Sequence, residues 1–289
     1  MIYLILSILC SSSIVLQFKM LDRYNINTFQ AIVVNYLAAV LLGVALVDDR
    51  QIFLSFASAD WLPWALLLGI LFILMFFLIG VTTQKIGVTV AAVAHRLSLV
   101  IPAIFAIFLY NESVTVLKGG GILLAMLAVY YTSQDKEQIT GHITPFKLVL
   151  PFIVFVGGGI VDTMINYVQN TFLQSQHEDA FLTFLFGTSF LIGVVVFFYR
   201  WLRGWEKLEW QSWVAGIVLG IANYASIYFI IQALNHAGLE NSVIFPVNNI
   251  AIVALSSIGG FIIFKERLNR FNVAGVVLAF AAIIIMSFA

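Results

Sequence analysis

Charge is what this chain has least of. Only 10% of its 289 residues are ionised at neutral pH, and its 14 Lys and Arg balance its 14 Asp and Glu. With no net field to recruit nucleic acid or an acidic partner, each basic residue has to be read by its location. A single cysteine, Cys10, excludes an intrachain disulfide, and in its apolar surroundings it reads as a small buried side chain. The four histidines are dispersed, and His177-Glu178 in "HEDAF" has no second histidine at the spacing of the H-E-x-x-H zinc motif. No glycine cluster forms G-x-G-x-x-G or a Walker loop, and no strand pattern precedes one. No metal and no cofactor is therefore expected.

What the chain has instead is hydrocarbon. Hydrophobic residues make up 62% of it and its mean hydropathy is +1.05, outside the range of soluble domains. Crossing a bilayer core takes about 20 apolar residues. Ten such stretches are expected, near 2–18, 28–47, 61–81, 88–110, 114–132, 148–168, 180–199, 213–233, 240–264 and 271–288. The first, "MIYLILSILC", has no basic n-region and no convincing cleavage site, so it is kept as a span. Backbone groups in lipid must be satisfied within each segment, which makes the spans α-helices and the chain an all-α polytopic membrane protein. The clearest polar interruption, "SQDKEQITGH" at 133–142, separates five spans from five.

The two halves resemble each other. "ESVTVLKGGGILLAMLAVYYTS" (112–133) aligns with "ERLNRFNVAGVVLAFAAIIIMS" (266–287), matching Glu112 with Glu266, Gly121 with Gly275 and Ser133 with Ser287. Upstream, Gly69 pairs with Gly220 and Gly87 with Gly238, with a short insertion in the ninth span. An odd number of spans per half makes the second half enter from the opposite side. The expected organisation is thus two inverted five-helix repeats around a central cavity, 1–132 and 147–289, joined by a polar linker at 133–146.

The doubled pattern, Glu-x-Leu/Val-x with a Gly nine residues after the Glu, closes each half of a ten-span chain and resembles the EamA-type branch of the drug/metabolite transporter superfamily. So does Pro246-Val247, twenty residues before Glu266. The resemblance covers nearly the whole chain. It implies a ten-helix carrier of small metabolites, with a cavity lined by the first four helices of each half. The chain departs from the pattern where it has Cys10-Ser11-Ser12-Ser13 in place of a Trp-Gly or Trp-Ser pair. It also has Asn35 where a basic residue is frequent, and His95-Arg96 with Pro102 in the fourth span.

Helical rise, about 1.5 Å per residue, turns position into depth. Calling the face reached after the first span side A, Ser12, Asn35 and His95 each lie about 10 Å beneath it. From the opposite face, side B, Asn248 and Asn249 lie about 12 Å inside, and Asp162 is within about 9 Å of that face. Asn223 and Tyr224 come about 15 Å along their span, near midplane. Inverted symmetry accounts for these mirrored layers. Arg96, about 12 Å deep, is the sharpest case. A charge at bilayer centre costs roughly 3 kcal/mol on insertion scales, which points to a water-filled cavity rather than lipid. There Arg96 pairs with an anionic group of a substrate or, when the site is empty, with Asp162, given enough helix tilt. The alternative is an arginine bonded to backbone carbonyls between helices. His95, about 100° round the helix from Arg96, shares the cavity only if it is wide, and a packing role is equally open.

Pro102 and Pro246 each remove a backbone bond and crowd the carbonyl four residues back, Ser98 and Ser242, so both are hinge candidates beside polar residues. Gly119 to Gly121, Gly157 to Gly159, Gly216 with Gly220, and Gly259-Gly260 read as close helix contacts. Glu112 and Glu266 read as caps of the helix that follows each of them. Trp61, Trp64, Trp210, Trp213, Tyr130 and Tyr131 read as interfacial anchors. Apart from Arg96, only Arg50 and Lys118 among the Lys and Arg fall on side B. The positive-inside rule then makes side A cytoplasmic and puts both termini outside, whereas the resemblance implies termini inside.

These residues lead to a secondary carrier of a small polar or amphipathic metabolite in a bacterial inner membrane, working by alternating access. Its partners are the substrate, the lipid bilayer and a proton or counter-substrate. Substrate contacts are expected from Ser12, Asn35, His95, Arg96, Asn223, Tyr224, Asn248 and Asn249, and proton coupling from Asp162. A channel using the same polarity, or an intramembrane enzyme using Asp162, are the alternatives. The enzyme would want a second carboxylate at similar depth, and none is found.

Overall fold

The computed structural model describes residues 1–46, 59–109, 116–132, 145–172, 178–236 and 241–288. Every regular element among these described residues is an α-helix: α1 (Ile2–Arg23), α2 (Thr28–Leu46), α3 (Leu62–Lys85), α4 (Val88–Leu97), α5 (Val100–Leu109), α6 (Val116–Thr132), α7 (Pro145–Thr171), α8 (Glu178–Leu202), α9 (Trp210–His236), α10 (Asn241–Phe264) and α11 (Arg270–Ser287). Seven of them, α1 to α3 and α7 to α10, are long and apolar enough to cross a membrane; α4 with the start of α5, α6 and α11 supply shorter apolar segments. The helices fall on the ten expected stretches, and the fourth stretch is divided at Ser98-Leu99.

Large apolar side chains cover the outer faces as well as the inner ones. On α8, Leu191, Val194, Val195, Phe198 and Leu202 are all exposed at helical spacing, forming a stripe that suits acyl chains and not water.

The helices sort into two compact units, each of which draws on both halves of the chain. The first comprises residues 1–19, 78–162 and 225–289. Within it α6 packs along α11, and α4 packs on α10, α6 and α11. Val15 and Leu16 of α1 meet Val88 and Ala91 of α4 and Phe264 of α10 in one cluster. The second unit comprises residues 20–77 and 163–224, and its principal pairing is α2 on α8. Tyr36 of α2, fully buried, is flanked there by Phe76 and Phe186 at 5.8 and 6.0 Å between ring centroids.

Polar groups close the helix ends. Asn25, at φ 52°, turns the chain after α1 so that the Ile26 amide reaches the Leu21 carbonyl at 2.8 Å; Gly204, at φ 71°, lets Trp205 reach Arg200 at 3.0 Å after α8. Lys19 lies inside α1, and its ammonium caps the end of α3 by donating to the Gln84 carbonyl at 2.8 Å. In the second unit Asn27 caps α2, accepting from the Gln30 amide at 3.1 Å, and its own amide donates to Glu206 at 3.2 Å. Glu206 is buried and paired to Arg200 at 2.9 Å, which binds the start of α2 to the end of α8.

Three expectations about these ends are corrected. Glu266 does not cap the helix that follows it: α11 begins with a capping box between Asn269 and Asn272. The Glu266 carboxylate instead accepts from the Val88 amide at 2.9 Å, capping the distant helix α4, whose preceding residue Gly87 has φ 140° and no side chain able to do so. Trp61 is no interfacial anchor; it is buried against Phe181 and Phe184. Trp210, Trp213 and Tyr130 are exposed as anchors would be. Gly119 and Gly120 make no close contact, since a Cβ on either would meet nothing within 4 Å. Cys10 is only half-buried, and Glu112 and His177 lie outside the described residues.

Because the Glu266 cap joins the two halves of the chain, Glu266→Ala should lower stability by about 1–2 kcal/mol. Thermal unfolding in detergent reads it, and an unchanged midpoint would remove the cap from the account.

Candidate functional site

In the first unit the polar residues gather where α4 breaks. Pro102 has no N–H to return to the Ser98 carbonyl, and the Ile101 amide takes that bond at 2.9 Å in a tighter turn. The expected disruption is therefore present, two to four residues before the proline. Pro102 itself sits in the first turn of α5, where a missing donor is tolerated. Across this break lies α7. A Cβ on Gly158 would come within 3.1 Å of Ser98 and 3.4 Å of His95 Nδ1, and one on Gly159 within 2.4 Å of Ile101 Cβ. The two glycines thus let α7 lie directly against the junction. One turn beyond Gly158, and so on the same face, Asp162 meets Ser98: its Oδ2 is 2.9 Å from the Ser98 hydroxyl, which is also 2.6 Å from the His95 carbonyl.

Arg96 extends from the other side of α4. Its Nη1 donates to Oδ1 of Asn249 on α10 at 3.5 Å, the long end of hydrogen bonding. It acts on Asp162 through space, and Asp162 takes the serine hydroxyl as its hydrogen-bonding neighbour. The hydrogen bonds given for the two side chains run to other partners, Arg96 to Asn249 and Asp162 to Ser98. Arg96 and His95 are both partly buried, and His95 Nδ1 has no hydrogen-bond partner among the described residues.

The α4–α10 contact is antiparallel, since Val88 lies against Gly260 and Arg96 against Asn249. It carries a polar seam. Asn248 and Asn249 are buried on α10, and Ser256 and Ser257 follow two turns later on the same side. Thr89 stands two turns before Arg96 on α4. Asn248 Oδ1 and the hydroxyls of Thr89, Ser256 and Ser257 are buried without a hydrogen-bond partner among the described residues, as is the Ser12 hydroxyl on α1. Buried polar atoms left unmet cost about 1–3 kcal/mol each, so such a seam fits water or a polar ligand. Through Pro246, α10 continues as one helix, without the interruption seen near Pro102.

The second unit holds the other expected residues. Asn223 on α9 donates to Asn35 Oδ1 on α2 at 3.2 Å, and both side chains are buried. Asn35 Nδ2 has no hydrogen-bond partner among the described residues. The pair meets because Gly216 and Gly220 bring α9 onto α2: a Cβ on Gly220 would stand 2.5 Å from the Asn35 carbonyl oxygen. Tyr224, the next residue, is partly buried.

Ser98, Thr89, Ser256 and Ser257 were not among the expected site residues. Each nevertheless had a signal. Ser98 stands four residues before Pro102, Thr89 is at helical spacing from Arg96, and "SS" at 256–257 repeats the "NN" face of α10 after about two turns.

The sequence pattern of the EamA-like transporter family matches twice, over residues 1–134 and 147–288. A Haemophilus influenzae protein described only as an uncharacterized protein is 30% identical over 287 residues, covering 97% of this chain and 95% of the relative. A protein solved by crystallography shares the fold at a TM-score of 0.61 and 13% identity, over 99% of this chain and 96% of that one.

Close approach of α7 makes a contrast that can be measured. Gly159→Ala should destabilise by about 1–3 kcal/mol through overpacking against Ile101, whereas Gly119→Ala should be neutral or stabilise by up to about 1 kcal/mol. Detergent melting curves compare the two, and equal effects would argue against the packing described.

Proposed function

We propose, for a chain that belongs to the EamA-like transporter family of the drug/metabolite transporter superfamily and is an integral membrane protein, a secondary carrier of a small polar or amphipathic metabolite bearing an anionic group. It works by alternating access in a bacterial inner membrane, with ten spanning segments arranged as two inverted five-helix repeats. The pairing of α2 with α8 and of α6 with α11 supports the repeat, because each is the second or fifth segment of its half meeting its counterpart. The 30% identical Haemophilus influenzae relative supports the bacterial setting.

One observation carries the substrate class: Arg96 presents a guanidinium within the helices, and its hydrogen bond among the described residues is a long one to the neutral Asn249. A carboxylate or phosphate would offer it a shorter, charge-assisted pair. Asn248, the seam hydroxyls and Ser12 would complete the binding of a polar head, with His95 alongside. In the second unit Asn35, Asn223 and Tyr224 offer amide and phenol groups to substrate. Asp162 is the proton-coupling carboxylate, Pro102 marks one hinge, and Pro246 is retained as the second. No partner of macromolecular kind is needed. A channel is the competing reading for the same polar seam, and only a carrier gives saturable exchange.

Counterflow in proteoliposomes, loaded with metabolites that change between cells with and without the gene, tests this. The purified protein should exchange substrate saturably. Removing a charged hydrogen bond worth about 1.5–3 kcal/mol predicts a roughly ten- to hundredfold loss of apparent affinity in Arg96→Ala. Asp162→Asn should abolish coupled transport while the protein still folds. Near-normal flux in both variants would discard these roles, and flux linear in concentration would favour the channel.

A further inference from the structure

The Ser98 hydroxyl has one proton and two acceptors. Its oxygen stands 2.6 Å from the His95 carbonyl and 2.9 Å from Asp162 Oδ2. A hydroxyl donates once and can accept twice. If Asp162 is ionised, whichever oxygen Ser98 serves, the other faces it lone pair to lone pair at hydrogen-bonding distance. If Asp162 carries a proton, both contacts are satisfied: the carboxyl O–H donates to Ser98 Oγ, and Ser98 O–H donates to the His95 carbonyl. Two full hydrogen bonds therefore need two protons; with the serine's proton alone, the two oxygens compete for or share one donor.

The His95 carbonyl belongs to the last turn of α4, and Ser98 closes that helix immediately before the break. Serine bonded back to a carbonyl three residues earlier bends a helix, so the orientation of this hydroxyl bears on the geometry of the α4–α5 junction. The neighbours leave few other proton carriers. From α4, Arg96 acts on Asp162 by its charge, and His95 places Nδ1 against Gly158. α5 brings only apolar side chains, Ile101 among them, and α10 contains no ionisable residue. Asp162 is the sole charged residue between Val149 and Val168 of α7.

From this proton count we infer that Ser98 is the positioning residue through which the protonation of Asp162 sets the α4–α5 junction, closed when Asp162 holds a proton and loosened when it does not. On loss of the proton from Asp162, the serine proton turns to the carboxylate and leaves the His95 carbonyl without its bond; on protonation the bond returns. No other group changes its proton count. The value of this device for coupling rests on the carrier function proposed above, but the junction chemistry does not.

Hydrogen exchange at the amides of residues 97–101, followed against pH on the full-length protein in nanodiscs without substrate, reads the junction directly. Difference infrared spectra follow the protonated-carboxyl band in parallel. Wild type should be protected when the carboxyl band is present and should lose protection as the band disappears. Asp162→Asn, whose amide donates to Ser98 as the acid does, should stay protected at every pH and lack the band. Ser98→Ala should keep a titrating band, shifted in frequency, but show protection, relative to the intrinsic exchange rate at each pH, that does not change with pH. Wild-type protection that ignores the titration would overturn the proposal, as would Ser98→Ala following the wild-type profile. Because neither readout involves transport, a failed counterflow experiment leaves this result standing, and a failed exchange experiment leaves the carrier standing.

Discussion

Hydrocarbon offers no hydrogen bonds, so every polar group carried below the membrane surface has to be met from within the protein, by water or by a ligand. Most of the organisation around the candidate site can be traced to that constraint. The Glu266 carboxylate answers the first amide of α4, and Asn272 answers the Thr132 carbonyl at the end of α6 at 2.7 Å. Where α4 breaks, the carbonyls it frees are taken by the Ile101 amide and the Ser98 hydroxyl. Arg96 is a cation whose hydrogen-bond partner is a neutral amide at 3.5 Å. An incompletely answered cation is expensive as structure, and its expense is intelligible if a substrate supplies the missing anion.

Helices in lipid gain little from burying apolar surface against one another, because acyl chains solvate that surface equally well. Close packing and short polar contacts must hold them instead. Gly158 and Gly159 on α7 and Gly216 and Gly220 on α9 show the device, each pair removing side-chain bulk where another helix crosses. In both places the close approach also brings polar groups together: Asp162 reaches Ser98 in the first unit, and Asn223 reaches Asn35 in the second. Packing and polarity are therefore the same feature seen twice. A bulkier residue at Gly159 or Gly220 would displace a contact and also separate the groups that the contact aligns.

The break in the fourth segment links that packing to function. A continuous helix has no carbonyl to spare, while an interrupted one frees backbone groups that protein, water or a ligand must meet. Pro102 withholds the amide that the Ser98 carbonyl would otherwise receive, Ser98 closes the interruption, and Asp162 stands beside it from the other half of the chain. A change of charge at Asp162 is thus felt first by the turn most able to move.

Much of this was legible before any coordinates. The apolar helical stretches, the membrane setting and the break near Ser98 depend on length, composition and position along a helix, and those are linear properties. Distance along the chain fixes distance along a helix because helical rise is constant. What the sequence could not determine was lateral: which helix stands beside which, and how each is rotated about its axis. Glu266 capping α4 in place of α11, Trp61 buried among phenylalanines, Gly119 facing open space, and Asp162 sharing a hydroxyl with the His95 carbonyl were all decided by tertiary packing. The reason is physical. An apolar helix in lipid carries almost no amphipathic bias to say which face turns inward, so only the fit of small residues and the few polar partners chooses the rotation.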